Sequence, residues 1–237
     1  MYLMLMKQYF NNLYKGTKKE YFSDLTSDLE NNKKRFIITV NPETIMFALK
    51  NNEMNEILLD KNNSLVADGI AVLKKAQMKK VDVKERITGI DICSYLLDEL
   101  NRTKKSLYLF GSDNQVLTDL VAKINSEYKG INLLGATNGY VDNKDKVFAK
   151  IKKLKPDVCL VALGIPMQEL LINKYIKDFK QGIFVGVGGS FDVLSGHKKR
   201  APKIFIKLNL EWLYRIIKEP KRIKRFFKNN VLFMLKK

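Results

Sequence analysis

From residue 35 onward the chain alternates two hydrophobic patterns. Short, almost continuously apolar runs, RFIITVN (35–41), SLVA (64–67), SLYLFG (106–111), INLLGA (131–136), DVCLVALG (157–164) and GIFVGVGG (182–189), read as buried strands. Between most of them, apolar residues three and four apart predict amphipathic helices over 42–49, 70–78, 91–100, 114–128, 144–154 and 167–179, with Pro42 at the first turn of the first. Strands of this kind alternating with helices predict an α/β fold, a Rossmann-like, mainly parallel sheet with helices on both faces. Residues 1–34 form a polar, aromatic-rich lead-in with a short helix expected after Ser23 or Asp24 and no assignable chemistry. Near Gly196 the pattern changes again. With Pro202 at the first position of one helix, Ile206, Leu210, Leu213 and Ile217 fall on a single stripe. After Pro220 a second amphipathic segment alternates Ile223, Phe226, Phe227, Val231 and Met234 with Lys221, Arg222, Lys224, Arg225 and Lys228. Three regions follow: a lead-in (1–34), an α/β domain suited to binding a nucleotide (35–195) and a basic helical appendage (196–237).

Charge sharpens the reading of the appendage. The 237 residues carry a formal net charge of +18, and 46% are hydrophobic, enough for a substantial core. From Lys198 to Lys237 there are 14 Lys or Arg against two acids, Glu211 and Glu219, a local excess of +12. Such a surface calls for an anionic partner, and the interleaved large aliphatic residues favour an anionic membrane surface over nucleic acid. A nucleic-acid-binding module using this tail and a nucleotide-dependent oxidoreductase on the same sheet are the alternatives. The first would keep its exposed face polar, and the second lacks the glycine fingerprint and the acidic ribose ligand after it. Cys93 and Cys159 lie far apart in apolar surroundings, without a CxxC pair and with one histidine in the chain, so buried reduced thiols are expected and a zinc site is not. The opening MYLMLM is too short to span a bilayer and no small-residue cleavage site follows it, so neither secretion nor a membrane span is expected.

In parallel sheets, ligands bind outside the carboxyl ends of the strands. The residues there are Thr39 and Asn41, Asp68 and Gly69, Gly111, Gly139 and Tyr140, Gly164, Pro166, Gln168 and Glu169, and Gly186, Gly188, Gly189 and Asp192. Arg86, Thr88, Gly89 and Asp91 sit between strands. Glycines 186, 188 and 189 would let backbone N–H groups approach a phosphate, although GVGGSF is not a dinucleotide fingerprint and also suits a simple chain reversal. No phosphate-binding P-loop motif occurs. Asp68 has two readings, an N-cap for the helix beginning at Ile70 or a general base at the ligand crevice. No D-x-D pair is present, the arrangement many nucleotide-sugar transferases use to hold a divalent metal; if the chain moves a sugar from a nucleoside diphosphate, arginines must neutralise the leaving diphosphate. His197, in a basic loop, reads as a solvated side chain.

Taken in order, TVNPE (39–43), ADG (67–69), RITGID (86–91), NGY (138–140), GIPMQE (164–169), GVGGSFD (186–192), SG (195–196), RAP (200–202), EWLYR (211–215) and EPKRIKR (219–225) resemble the WecG/TagA/CpsF family of glycosyltransferases. The resemblance runs from about Phe36 to Phe227. It implies an inverting, metal-independent enzyme without a cofactor. Such an enzyme moves N-acetylmannosamine or a related sugar from UDP to a polyprenyl-diphosphate-linked N-acetylglucosamine, on the cytoplasmic face of the membrane. By the same resemblance Asp68 is the base, with Thr39 and Asn41 beside it. Gln168 lies at the donor with Glu169 next to it, and Arg86, Thr88, Gly89, Tyr140, Gly188, Gly189 and Asp192 line the UDP pocket. Met167 stands where the family has a lysine. Arg215, Arg222 and Arg225 are assigned to phosphates of the donor or acceptor, Lys221, Lys224 and Lys228 to the membrane surface, and Trp212 and Tyr214 to packing or interfacial anchoring. Without a membrane, the apolar tail favours a homo-oligomer.

Overall fold

The computed structural model describes residues 2–221, 223 and 227–236; for residues 2, 3, 215, 228 and 229 it describes the backbone alone. Six strands, β1 (Lys34–Val40), β2 (Ser64–Ala67), β3 (Ser106–Gly111), β4 (Asn132–Thr137), β5 (Val158–Ala162) and β6 (Gly182–Gly186), form one sheet. Their order is β2-β1-β6-β5-β3-β4, and every pairing is parallel. The period-two alternation of strand side chains splits the core in two. Phe36, Ile38 and Val40 of β1, with Tyr108, Phe110, Cys159, Val161 and Phe184, enter one apolar cluster. Ile37, with Leu107, Leu109, Leu160, Ile183 and Val185, enters the other. Both faces are therefore covered, as continuous apolar strands require.

The covering helices include α3 (Pro42–Ala48), α4 (Asn52–Leu59), α5 (Ile70–Met78), α6 (Gly89–Thr103), α7 (Asn114–Glu127), α8 (Lys144–Leu154) and α9 (Met167–Ile176), close to the predicted spans except for α4, which the pattern did not reveal. The lead-in departs further from expectation. It contains α1 (Tyr2–Asn12) and α2 (Lys18–Glu30), and α2 begins before Ser23 because Thr17 and Glu20 close a capping box at its start. Met6, Tyr9, Phe10 and Leu13, spaced for one helix face, are buried in the first cluster, while Tyr21, Leu25 and Leu29 of α2 are buried in the second. The lead-in thus supplies core to both faces of the sheet.

The single helix expected after Pro202 is two. Pro202 is an N-cap with extended ψ rather than a helical residue, and α11 (Lys203–Lys207) ends before α12 (Glu211–Lys218). Asn209 takes φ +59; its N–H bonds Ile206 O (3.0 Å), and that of Leu210 bonds Phe205 O (2.7 Å). This is a Schellman ending built on asparagine, which tolerates the left-handed conformation better than most residues. Short α10 (Ser190–Leu194) precedes the tail, and the chain closes with a π-helical turn (Phe227–Val231) and a last helical turn (Leu232–Leu235). Phe233 of that turn is fully buried in the first cluster. Lys75 of α5, 3% exposed, donates to the carbonyls of Phe233, Met234 and Lys236, and its ammonium lies 4.5 Å from the centroid of the Phe233 ring. Burial holds the Lys75 pKa below its usual value.

Candidate active site at the carboxyl edge of the sheet

The strand ends are tied to one another before any ligand is considered. Buried Thr39 at the end of β1 donates its hydroxyl to Gly186 O on β6 at 3.0 Å. Asn41 caps α3, its Oδ1 accepting from the N–H groups of Glu43 (2.9 Å) and Thr44 (3.1 Å). Asp68 follows β2, and its N–H bonds Val40 O at 2.9 Å. The N-cap of α5 is Gly69, one residue beyond Asp68, and no side-chain hydrogen bond closes that cap. A Cβ on Gly69 would lie 3.0 Å from Pro42 Cδ, so glycine lets the Asp68 turn sit against the start of α3. Asp68 is also near enough to buried Cys93 to help raise that thiol, which burial above all pushes up to about 12.

The loop holding Arg86, Thr88 and Gly89 closes over the same edge. Ile87 N–H bonds Ala67 O at 2.9 Å, and buried Thr88 caps α6 by accepting from Asp91 N–H at 3.2 Å. A Cβ on Gly89 would stand 3.3 Å from Ser190 Oγ and 3.6 Å from Thr39 Cγ2, so three separate sequence segments meet at this glycine. Gly188, at φ +49, has nothing within 4 Å of the position a Cβ would take. That leaves backbone open to a ligand beside the N-terminus of α6, where partial positive charge favours phosphate.

Gln168 and Glu169, in the first turn of α9, lie underneath. Gln168 Oε1 accepts from Gly164 N–H (3.2 Å) and Gly188 N–H (3.0 Å), while its Nε2 donates to Glu169 Oε1 (2.7 Å). Gln168 is 2% exposed and Glu169 0%. Burial raises the Glu169 carboxyl to about 7, with the bond from Gln168 opposing and the charge of Glu43 adding to the shift.

The tail reaches the site through ion pairs. Arg86 pairs with buried Glu211 of α12 at 3.2 Å, so this arginine is engaged by the tail. Asp91 lies between Lys18 (2.7 Å) and Arg200. Burial opposes its charge, but the hydrogen bonds from those two cations hold its pKa below the usual carboxylate value. Asp192 meets Lys198 at 3.0 Å, and His197 is not merely solvated but bonded to Asp119 at 2.6 Å. Arg200, Asp91 and Ser190 lie in the RAP, RITGID and GVGGSFD segments, which carry their sequence signal, whereas Lys18 lies in the lead-in, to which the sequence assigns no chemistry. Tyr140 is the exception among the expected pocket residues: it follows edge strand β4 and is 81% exposed. Arg222 and Arg225 lie outside the described residues, as does the side chain of Arg215. Ile204, Leu208, Trp212, Ile217, Ile223 and Phe227 of the tail are exposed.

Among the described residues, no group of three His, Cys, Asp or Glu side chains could hold a metal ion, and no helix is long and apolar enough to cross a membrane. An open cleft of about 410 Å³ lies at the opposite, amino end of β1 and β2, lined in part by Lys33, Lys34, Arg35 and Lys61. Its most buried cation, Arg35, is paired with Asp28.

Comparison with known proteins identifies the family. The family model for the glycosyl transferase WecG/TagA/CpsF family matches residues 8–237. Three relatives carry the name N-acetylglucosaminyldiphosphoundecaprenol N-acetyl-beta-D-mannosaminyltransferase. That of Bacillus subtilis (strain 168) is 39% identical over 86% of this chain and 82% of its own. That of Bacillus spizizenii is 38% identical over 84% and 77%, and that of Staphylococcus aureus (strain MW2) 36% over 85% and 78%. An all-parallel sheet whose family segments gather at one edge, matched along nearly its whole length, therefore belongs to the WecG/TagA/CpsF family of glycosyltransferases.

Proposed function

We propose that this glycosyltransferase moves N-acetylmannosamine, or a close relative, from a UDP-sugar to a polyprenyl-diphosphate-linked N-acetylglucosamine. The observation that carries the reading is the meeting of the Thr39, Asp68, Gly89 and Gly188 segments at the carboxyl edge of one sheet, in a chain whose relatives are named for the transfer of N-acetylmannosamine to N-acetylglucosaminyldiphosphoundecaprenol. In this reading the donor diphosphate lies over Gly188 and the N-terminus of α6. Asp68 accepts the proton of the acceptor hydroxyl as its oxygen attacks the anomeric carbon. The bond to UDP breaks on the opposite face, UDP leaves with the electron pair, and the configuration inverts. Charge on the departing diphosphate is met by backbone N–H groups and cations without a metal, with Arg215, Arg222 and Arg225 of the tail in that role. Thr39 and Asn41 hold the floor and the neighbouring helix start. Gln168, with both amide ends bonded inside the protein, shapes the donor pocket from below, and Tyr140 borders it from the edge.

The tail works at the inner face of the membrane. Its exposed aliphatic and aromatic residues enter the interfacial layer while Lys and Arg meet anionic headgroups, each contributing roughly 1 kcal/mol. In solution the same surface favours self-association. Incubation with a polyprenyl-diphosphate N-acetylglucosamine analogue and a panel of UDP-sugars, with and without EDTA, tests the reading. UDP should be released from UDP-N-acetylmannosamine in either condition, with a β-linked product. Release from none of the panel would overturn the donor assignment, and loss with EDTA the metal-independent chemistry.

A further inference from the structure

The Gln168–Glu169 pair is more deeply buried than any group the proposed chemistry needs to touch. An amide side chain offers an acceptor at one end and donors at the other, so its orientation is a binary choice. Here Oε1 faces two backbone donors, Gly164 N–H after β5 and Gly188 N–H after β6. Were the amide reversed, its NH2 would confront both. The 2.7 Å bond from Nε2 to Glu169 Oε1 selects the observed orientation. Space has been made for it: a Cβ on Gly186 would stand 2.7 Å from Gln168 Nε2. Glu169 is fully buried, and its second oxygen, Oε2, has no hydrogen-bond partner, a costly arrangement for a purely structural side chain.

We propose that Glu169 is a positioning residue, which through Gln168 locks the glycine turns after β5 and β6 into one cradle for the donor diphosphate. The identity of the ligand rests on the transferase reading; the coupling of the two turns does not. With its carboxyl raised to about 7, Glu169 is substantially protonated near neutrality, so a carboxamide reproduces both its shape and its acceptor oxygen.

The test compares Glu169→Met, which fills the volume without an acceptor, with Glu169→Gln, which restores one. Glu169→Met leaves the buried Gln168 Nε2 without an acceptor and so costs stability, whereas Glu169→Gln keeps the acceptor; denaturant unfolding confirms that each variant is folded before it is compared. Three quantities are measured: amide hydrogen exchange at Gly164 and Gly188, the UDP dissociation constant, and kcat. Glu169→Met should speed exchange at both glycines and weaken UDP binding about tenfold, the equivalent of one hydrogen bond, with kcat changed by less than about threefold. Glu169→Gln should recover most of both losses, and Gln168→Ala combined with Glu169→Met should be no worse than Gln168→Ala alone. Wild-type exchange at both glycines in Glu169→Met, a Glu169→Gln protein as impaired as Glu169→Met, or an additive double variant would each overturn the proposal. A wild-type enzyme that releases UDP from no sugar donor would instead remove the transferase reading, with glycine exchange still deciding the coupling.

Discussion

The carboxyl edge of the sheet and the C-terminal tail meet around Arg86, but different forces hold them. At the edge, buried hydrogen bonds join one strand end to the next: Thr39 to Gly186, Gln168 to Gly164 and Gly188, Ile87 to Ala67. These bonds are made by the chain's own groups, so they join the strand ends into one framework. Much of the tail is fastened by ion pairs, Arg86–Glu211, Arg200–Asp91 and Lys198–Asp192, and by the buried Phe233, clasped by Lys75. Many of its other large apolar residues face outward. The contrast fits the two tasks proposed for these regions. Rigid backbone suits the recognition of a small donor, and a pinned, amphipathic strap suits an acceptor that arrives in a bilayer.

The largest way to break this comparison is at Asp68. Asp68→Ala should lower turnover by about 10²–10⁴-fold, the range for loss of a general base, while UDP affinity changes by less than about threefold. Turnover by UDP release and affinity by calorimetry check it, and a variant that turns over normally removes Asp68 from the mechanism. Next, the tail's two kinds of apolar residue should separate. Phe233→Ala should cost about 3–5 kcal/mol of stability in denaturant unfolding, whereas Leu208→Ser and Ile217→Ser should cost less than about 0.5 kcal/mol yet weaken binding to anionic vesicles. If Phe233→Ala proves harmless, the tail is not anchored as described.

Acidity probes the edge alone. The folded state raises the Glu169 carboxyl from its ordinary value to about 7, so between those values it binds more protons than the unfolded chain. Stability from this group is therefore present at low pH and lost as pH rises towards 7, by on the order of 3 kcal/mol. Glu169→Gln cannot titrate, and its stability relative to wild type should increase across that window in melting experiments run from pH 4.5 to 8. A pH-independent difference would place the carboxyl's ionisation elsewhere. The smallest effect is expected at Met167, about half exposed at the start of α9. Met167→Lys should alter stability by less than about 0.5 kcal/mol and the donor KM by less than about twofold; a larger change in KM would give the family's lysine a part in binding.

Strand and helix alternation was legible from residue 35 to about 195 because apolar periodicity is a local property, written into each segment by the faces it must bury. The lead-in was misread for a related reason: Met6, Tyr9, Phe10 and Leu13 carry a helical spacing, but their aromatic and polar neighbours obscure it. Asn209 ended a helix that its apolar stripe would have continued, since a Schellman turn depends on one residue's φ rather than on hydrophobicity.

By itself the sequence determined the α/β class and the family, and from them came the expectation of a site at the strand ends with Asp68 as its base. Tertiary structure alone decided the strand order, the orientation of the Gln168 amide, the capture of Glu211 by Arg86 and the return of Phe233 to Lys75. The long-range pairings among them, Gln168 with Gly188, Arg86 with Glu211 and Lys75 with Phe233, join residues 20, 125 and 158 positions apart, and nothing in the periodicity of either partner encodes the other. They follow from where a parallel sheet delivers each chain end, and a buried amide, carboxyl or ammonium is then satisfied by whatever the fold has brought within reach.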